Sequence, residues 1–203
     1  MLGVCALLAL RRRAWRLALV AMLVVSGCAA SRVGTTDGGA TDGPCTPALG
    51  AMLIEHACLH AGRGPLREVE AAASADGLSS AHAVNRTHTA YSVLVPGDET
   101  RERTGYVEYR PSRDGDHAIF SGDLEALSIE GPAGEAVGVS HDEAIRSCSS
   151  FDASRVVTLR RGERYRLRLS VAASSPAATL FFEHLGTFGD AAWAGRSCSG
   201  TLP

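Results

Sequence analysis

Short stretches in which apolar and polar residues alternate are the feature that most restricts the fold of this chain. The clearest stretch runs from Arg164 to Val171, where tyrosine, leucines and valine point to one side and arginines to the other. Similar stretches recur across residues 88–184 at intervals of about 8–15 residues, separated by turn-forming clusters. This spacing predicts roughly seven to nine short strands, the pattern of a two-layered β-protein.

The remaining predicted elements follow from the same alternation and from local composition. The other candidate strands are Tyr91–Val95, Tyr106–Arg110, Ala118–Phe120, Leu124–Ile129 and Ala178–Glu183. Turn residues occupy Pro111–Asp116 and Gly131–Gly134, while residues 48–60 are rich in Ala, Leu and Met and predict one short helix. Residues 48–203 are therefore expected to form an all-β domain, an antiparallel β-sandwich with one short N-terminal helix.

Three motifs in the strand region give this expectation a family likeness. They are Gly115-Asp116-His117, the stretch Leu127–Pro132, and the stretch Leu159–Leu167 with its glycine turn before a tyrosine. Over residues 88–184 they resemble the small modules of the pre-peptidase C-terminal type, which secreted bacterial proteases carry. The resemblance implies a jelly-roll-like sandwich. Folds of this kind serve many functions, so the role beside a protease is not carried over to this chain.

The first 28 residues have the pattern of an export signal. An arginine cluster at Arg11–Arg16 precedes the uncharged run Leu17–Val25, and Val25-Ser26-Gly27-Cys28 follows. The apolar run is far shorter than the roughly 20 residues that a spanning helix requires. The last four residues resemble the cleavage motif of bacterial lipoproteins. That resemblance implies cleavage before Cys28, lipid on the Cys28 sulfur and, because Ala29 rather than Asp follows, the outer membrane.

The chain is accordingly divided into a signal peptide at 1–27, a lipidated tether at 28–47 and a folded domain at 48–203. The tether consists of Ala, Ser, Thr, Gly, Asp and Pro with few apolar residues. Such a segment buries too little apolar surface to offset the entropy of ordering it, so a flexible linker is expected. The predicted location is the cell envelope, with the domain facing the periplasm or the cell surface.

Four cysteines remain after Cys28, and an even number in an exported chain predicts disulfides. Three pairings are possible, of which we favour Cys58–Cys148 together with Cys45–Cys198. The first closes a loop of about 90 residues, which the chain-entropy treatment values at about 4–5 kcal/mol. The second would tie the start of the domain to its end. Four-cysteine zinc binding is disfavoured because no C-x-x-C pair is present.

The charge balance excludes several functions. Without residues 1–27 the chain keeps 16 of its 20 basic residues and all 22 acidic ones, which leaves a net charge of −6. This argues against a nucleic-acid partner, which requires a basic surface. All the basic residues are arginine, so chemistry that needs a lysine amine is excluded.

Histidines around Cys58 form the most suggestive cluster. His56 and His60 lie four residues apart, on one side of a helix, and His82 or His88 would complete a site by folding back. Imidazoles suit copper or zinc. A disulfide at Cys58 would prevent thiolate ligation, and unliganded surface histidines are the favoured interpretation. Metal binding by these residues is kept as the alternative.

Two further groups of polar residues have both a functional and a simpler structural interpretation. Asp114, Asp116 and Asp123 surround a turn and offer oxygen ligands for Ca²⁺, although a solvated turn is favoured. The segment His141–Glu143 lies in a predicted loop beside serines, but no G-x-S-x-G motif is present, which disfavours a hydrolase.

The arginine stripe on the last long strand also has two interpretations. Arg164, Arg166 and Arg168 would meet an anionic polymer or a phospholipid surface, or would pair with glutamates of neighbouring strands. We favour the pairing, with Glu108, Glu125 and Glu130 as the candidate partners.

The sequence therefore predicts a non-enzymatic lipoprotein of the cell envelope, a binding or structural module displayed at the membrane surface. Its expected partners are the lipid bilayer, through Cys28, and an envelope protein or polymer. No nucleic acid and no cofactor are expected. The alternative is a periplasmic protein that handles copper or zinc through His56 and His60, with calcium less favoured.

Overall fold

Strands dominate the computed structural model, which describes residues 48–194. Within this range the chain forms one α-helix, α1 (Ala51–Arg63), four short 3-10 helices and eleven strands. The strands are β1 (Ala48–Leu49), β2 (Leu66–Glu70), β3 (Ala90–Leu94), β4 (Arg103–Tyr109), β5 (Gly115–Gly122), β6 (Ala126–Glu130), β7 (Val139–Ala144), β8 (Ala153–Leu159), β9 (Tyr165–Val171), β10 (Ala177–His184) and β11 (Trp193–Ala194). The prediction of a β-rich domain with one N-terminal helix is confirmed. The signal peptide, the tether, Cys28 and the Cys45–Cys198 pair lie outside the described residues.

The strands form three sheets. Six strands pair in the order β2-β3-β10-β5-β8-β7, three in the order β4-β9-β6, and β1 pairs with β11. Every pair is antiparallel except β2–β3, which is parallel, so the prediction of a wholly antiparallel arrangement is wrong there. Residues 71–89 explain the difference. They leave β2, contact β4 through bridges at Ala72 and Ala83, and return to start β3 in the same direction.

The main hydrophobic core takes side chains from both larger sheets. Tyr91, Ile119 and Leu180 come from the six-stranded sheet, and Leu167 and Leu169 come from β9. All five are fully buried. The alternation read from the sequence of β9 is thus confirmed, with the strand beginning at Tyr165.

A second core lies on the other face of the six-stranded sheet, under α1. The helix contributes Leu53 and Ala57, which pack in one cluster with Phe120 and Phe181 of the sheet. A disulfide joins Cys58 of the helix to Cys148, between β7 and β8, with 5.8 Å between the Cα atoms. This predicted pairing is confirmed. The helix is therefore attached to the sheet by apolar packing and by a covalent bond.

The segment His141–Glu143 lies in strand β7, so the prediction of a loop there is wrong. Pairing with β8 makes this polar edge segment a strand although it lacks an apolar alternation. Glu143 has a structural role. Its Oε2 accepts a hydrogen bond from the Leu49 N–H at 2.9 Å and lies 2.9 Å from His141 Nε2.

In the described part of the chain, no helix is long and apolar enough to cross a bilayer.

Candidate metal centre

Helix α1 presents two histidines beside its buried stripe. Leu53 and Ala57 face the sheet, and His56 and His60 lie one turn apart along the edge of that stripe. Both imidazoles are partly buried. The ring of His60 stacks on Phe181 of β10, with 5.2 Å between centroids and 17° between planes. This stacking fixes the orientation of the imidazole.

His88 reaches the same place from the end of residues 71–89, the segment that connects β2 to β3. It lies two residues before β3 and has a φ of 51°, in the left-handed region that non-glycine residues rarely adopt. Such a conformation costs roughly 1–3 kcal/mol and is concentrated at functional sites. The next residue, Thr89, is buried and its hydroxyl donates to the Thr87 carbonyl at 3.2 Å. The local turn therefore holds His88 against the helix.

The three imidazoles converge on one point. One nitrogen from each of His56, His60 and His88 lies within 4.8 Å of the others. The His56 Nε2 and His88 Nδ1 atoms are 3.3 Å apart. Two nitrogens bound to one tetrahedral zinc ion at about 2.0–2.1 Å would also be separated by about 3.3 Å. The two nitrogens are within hydrogen-bond distance of each other, and their spacing would also fit a metal ion that both imidazoles bind.

Glu183 adds a carboxylate to this cluster. It lies next to the end of β10, on the face that carries Phe181, and only 5% of it is exposed. Its Oε2 is 3.5 Å from His56 Nε2 and 3.8 Å from His88 Nδ1. Within the described residues this buried oxygen has no hydrogen-bond partner. The carboxylate thus adjoins two of the three imidazoles, those of His56 and His88.

Burial shifts the pKa of three of these side chains, His56, His60 and Glu183. Loss of solvation, followed by the charges of the neighbouring imidazoles, lowers the pKa of His56. Loss of solvation is also the main reason why the pKa of His60 is lowered. It raises the pKa of Glu183, against the opposing effect of His88. A divalent cation would stabilise the charged carboxylate, and it binds neutral imidazole, the form that burial favours at His56 and His60.

The sequence anticipated part of this site. Three of the four candidate histidines come together, whereas His82 does not, because its Nδ1 accepts the Ser79 N–H at 3.0 Å. Cys58 is in the disulfide and offers no thiolate. Glu183 was missed. The sequence signal that could have identified Glu183 is its position two residues after Phe181, which places both residues on the strand face that α1 covers.

The aspartates near the first turn do not converge. Asp114 Oδ1 accepts the Arg161 N–H at 2.8 Å, and Asp116 Oδ1 accepts the Thr158 hydroxyl at 2.6 Å. Across residues 48–194, the metal-binding geometry is found at the histidines and not at these carboxylates.

The arginine stripe on β9 pairs with neighbouring strands. Arg166 Nη2 lies 3.2 Å from Glu130 Oε2, and Arg164 Nε lies 3.8 Å from Glu108 Oε2. The cross-strand interpretation is confirmed for these two pairs. Exposed pairs of this kind contribute little to stability.

Comparisons with known proteins give no functional lead. The sequence matches no protein family and no curated protein. Among solved structures, the β-glucosidase of Kluyveromyces marxianus in complex with glucose is similar over 45% of this chain and 12% of that chain, with 15% identity and a TM-score of 0.30. The selenomethionine-labelled form of that enzyme is similar over 43% of this chain and 12% of that chain, with 15% identity and a TM-score of 0.29. The chain thus spans about an eighth of the enzyme's length, and a likeness this small carries no argument about activity.

Proposed function

We propose that this protein is a lipid-anchored metal-binding protein of the bacterial cell envelope, which holds one zinc or copper ion at His56, His60, His88 and Glu183. The observation that carries the proposal is the convergence of three imidazole nitrogens, within 4.8 Å of one another, beside a buried carboxylate oxygen that has no hydrogen-bond partner among residues 48–194. This makes the metal-handling alternative, extended by His88 and Glu183, the function that the site supports best.

A comparison with another histidine supports a ligand role. His117 is 1% exposed, and both of its nitrogens are satisfied, by the Tyr109 hydroxyl at 3.2 Å and by the Arg113 carbonyl at 3.2 Å. His60, in contrast, has a buried Nδ1 without a hydrogen-bond partner in the described residues. An unsatisfied buried polar atom costs about 1–3 kcal/mol, so a cation that binds the buried Glu183 oxygen would offset such a cost.

The donor set favours zinc or copper(II). Imidazole nitrogens with a carboxylate oxygen suit these ions, whereas copper(I) prefers the sulfur ligands that the site lacks. Structural zinc sites usually have four ligands, and here Glu183, beside His56 and His88, would join the three imidazoles. We keep the non-enzymatic assignment because the chain has no lysine and Cys58 is in a disulfide, which removes two common nucleophiles.

The cellular setting is proposed from the sequence. The Val25–Cys28 motif supports lipidation at Cys28, and residues 28–47 support a flexible tether that lets the domain stand off the membrane. The shared core of the six-stranded and three-stranded sheets supports a sandwich of the jelly-roll-like kind. A metal site on such a domain would face the periplasm or the cell surface.

Metal analysis of the processed full-length protein tests this proposal. We expect one equivalent of zinc or copper per chain, and loss of the metal in the His56→Ala/His60→Ala double variant and in His88→Ala. His82→Ala is the matched control and should keep its metal, because His82 bonds to Ser79 instead. Circular dichroism would show that the variants fold. A wild-type protein without stoichiometric metal, or equal metal content in all variants, would refute the proposal.

A further inference from the structure

A cavity opens directly beside the proposed metal site. Its volume is about 170 Å³, and two of the proposed ligands, His88 and Glu183, form part of its wall. A cavity of about 150 Å³ is large enough for a molecule with six carbon atoms. The space therefore suits a small organic or inorganic molecule rather than a polymer.

The charges around this cavity are mostly positive. Arg86, Arg110 and Arg113 line it, and Glu183 is the one carboxylate among the lining residues. Arg110 is paired with Glu108 at 3.4 Å. Arg86 and Arg113 are exposed and make no ion pair within the described residues. Two guanidinium groups are thus available beside a carboxylate that would already be used by the metal.

The inner wall of the cavity is rigid and polar. Tyr109 and His117 line it, and they are joined at 3.2 Å between the hydroxyl and Nδ1. Burial lowers the pKa of His117. His184, also in the wall, is held by a 2.9 Å contact between its Nε2 and the Asp114 carbonyl, and its buried Nδ1 has no partner in the described residues. The wall therefore offers fixed polar groups to a ligand.

We propose that this cavity binds a small oxyanion, with a carboxylate or phosphate group, next to the metal ion. The anion would lie between the guanidinium groups of Arg86 and Arg113 and the metal side of the cavity at His88 and Glu183. Guanidinium groups bind such oxyanions through paired, charge-assisted hydrogen bonds. This inference rests on the proposed function, because the cation supplies part of the attraction.

Calorimetric titration of the metal-loaded full-length protein tests the anion site. Cobalt(II) is used as the metal, and acetate, succinate and inorganic phosphate are the probes. We expect saturable binding of at least one anion, weakened about tenfold in Arg86→Gln and in Arg113→Gln and about tenfold by removal of the metal. The cobalt content should stay unchanged in both variants. Arg168→Gln is the control, because Arg168 is exposed on β9, away from the lining residues.

The outcomes separate this inference from the proposed function. Binding of the carboxylates alone supports a carboxylate ligand, and binding of phosphate alone supports a phosphate ligand. A protein that takes up cobalt but binds none of the three anions, or binds them equally in Arg113→Gln and Arg168→Gln, overturns the anion site and leaves the metal site intact. A protein that takes up no cobalt overturns the proposed function, and the anion site with it.

Discussion

Among single residues, Glu183 links binding to stability most directly. Burial raises its pKa above the usual value of 4.5. The folded chain therefore holds the Glu183 proton more tightly than the unfolded chain does. Between 4.5 and the raised folded pKa the native state binds more protons, so stability falls as the pH rises through that range. Without a metal, ionising this buried carboxylate in the folded chain costs free energy, so stability falls as Glu183 loses its proton.

Replacing this carboxylate with its neutral isostere should stabilise the metal-free protein and weaken metal binding. In chelator at neutral pH, Glu183→Gln should be more stable by about 1 kcal/mol, which raises Tm by about 2–4 °C for a domain of this size. Well below pH 4.5 the difference should vanish, because Glu183 is then protonated in both the folded and the unfolded chain. Thermal unfolding as a function of pH measures this.

The same pair of proteins should respond differently to zinc. At a free metal concentration 100 times Kd, the wild-type domain should gain about 2.7 kcal/mol, or roughly 5–10 °C in Tm. Glu183→Gln should gain less, since one of four donors loses its charge. A lower Tm for metal-free Glu183→Gln than for the wild type at neutral pH would contradict this account of the carboxylate.

At the scale of elements, alternation predicted the strands that bury one face and failed where that signal is absent. β9 and β10 were predicted within one residue at each end, because their inward residues are apolar. β7 was missed since its residues are mostly polar, and β2 and β8 were not assigned bounds. The parallel β2–β3 pair depends on where residues 71–89 cross to the other sheet. No local pattern encodes that path.

In the candidate site, too, some residues are predicted by local sequence spacing and others depend on long-range contacts. The helical spacing of His56 and His60 is local and was read from the sequence. Whether His82 or His88 approaches helix α1 depends on the path of residues 71–89, so the sequence leaves both as candidates. Glu183 belongs to a strand face that is buried because α1 covers it. That long-range contact, rather than the residue type, makes Glu183 part of the site.

The disulfide between α1 and the sheet should contribute strongly to stability. It closes a loop of 90 residues, so the Cys58→Ser/Cys148→Ser variant should lose about 4–5 kcal/mol in the chain-entropy treatment. Its affinity for zinc should also fall, because His56 and His60 lie on the helix that the bond holds in place. Urea unfolding under non-reducing conditions measures the first effect and zinc titration the second. An unchanged urea midpoint would show that apolar packing alone secures the helix.

At the scale of the whole molecule, the ends of the folded domain lie side by side. Ala48 in β1 pairs with Ala194 in β11. Cys45 precedes the first by three residues and Cys198 follows the second by four. The Cys45–Cys198 disulfide stays a prediction, but the pairing of β1 with β11 supports it. Such a bond would secure the domain at the point where the tether begins.

The proposed anchoring and the proposed metal binding should be separable, because they would use different parts of the chain. Lipid chains contribute about 0.8 kcal/mol per buried methylene, and two or more chains hold a protein stably on a membrane. A Cys28→Ser variant should therefore move from the membrane fraction to the soluble fraction. It should still bind one equivalent of metal, since the ligands lie at residues 56–183. The His88→Ala variant is the matched control, expected to remain on the membrane without metal. A Cys28→Ser protein that fractionates with membranes as the wild type does would refute lipidation at Cys28 as the anchor.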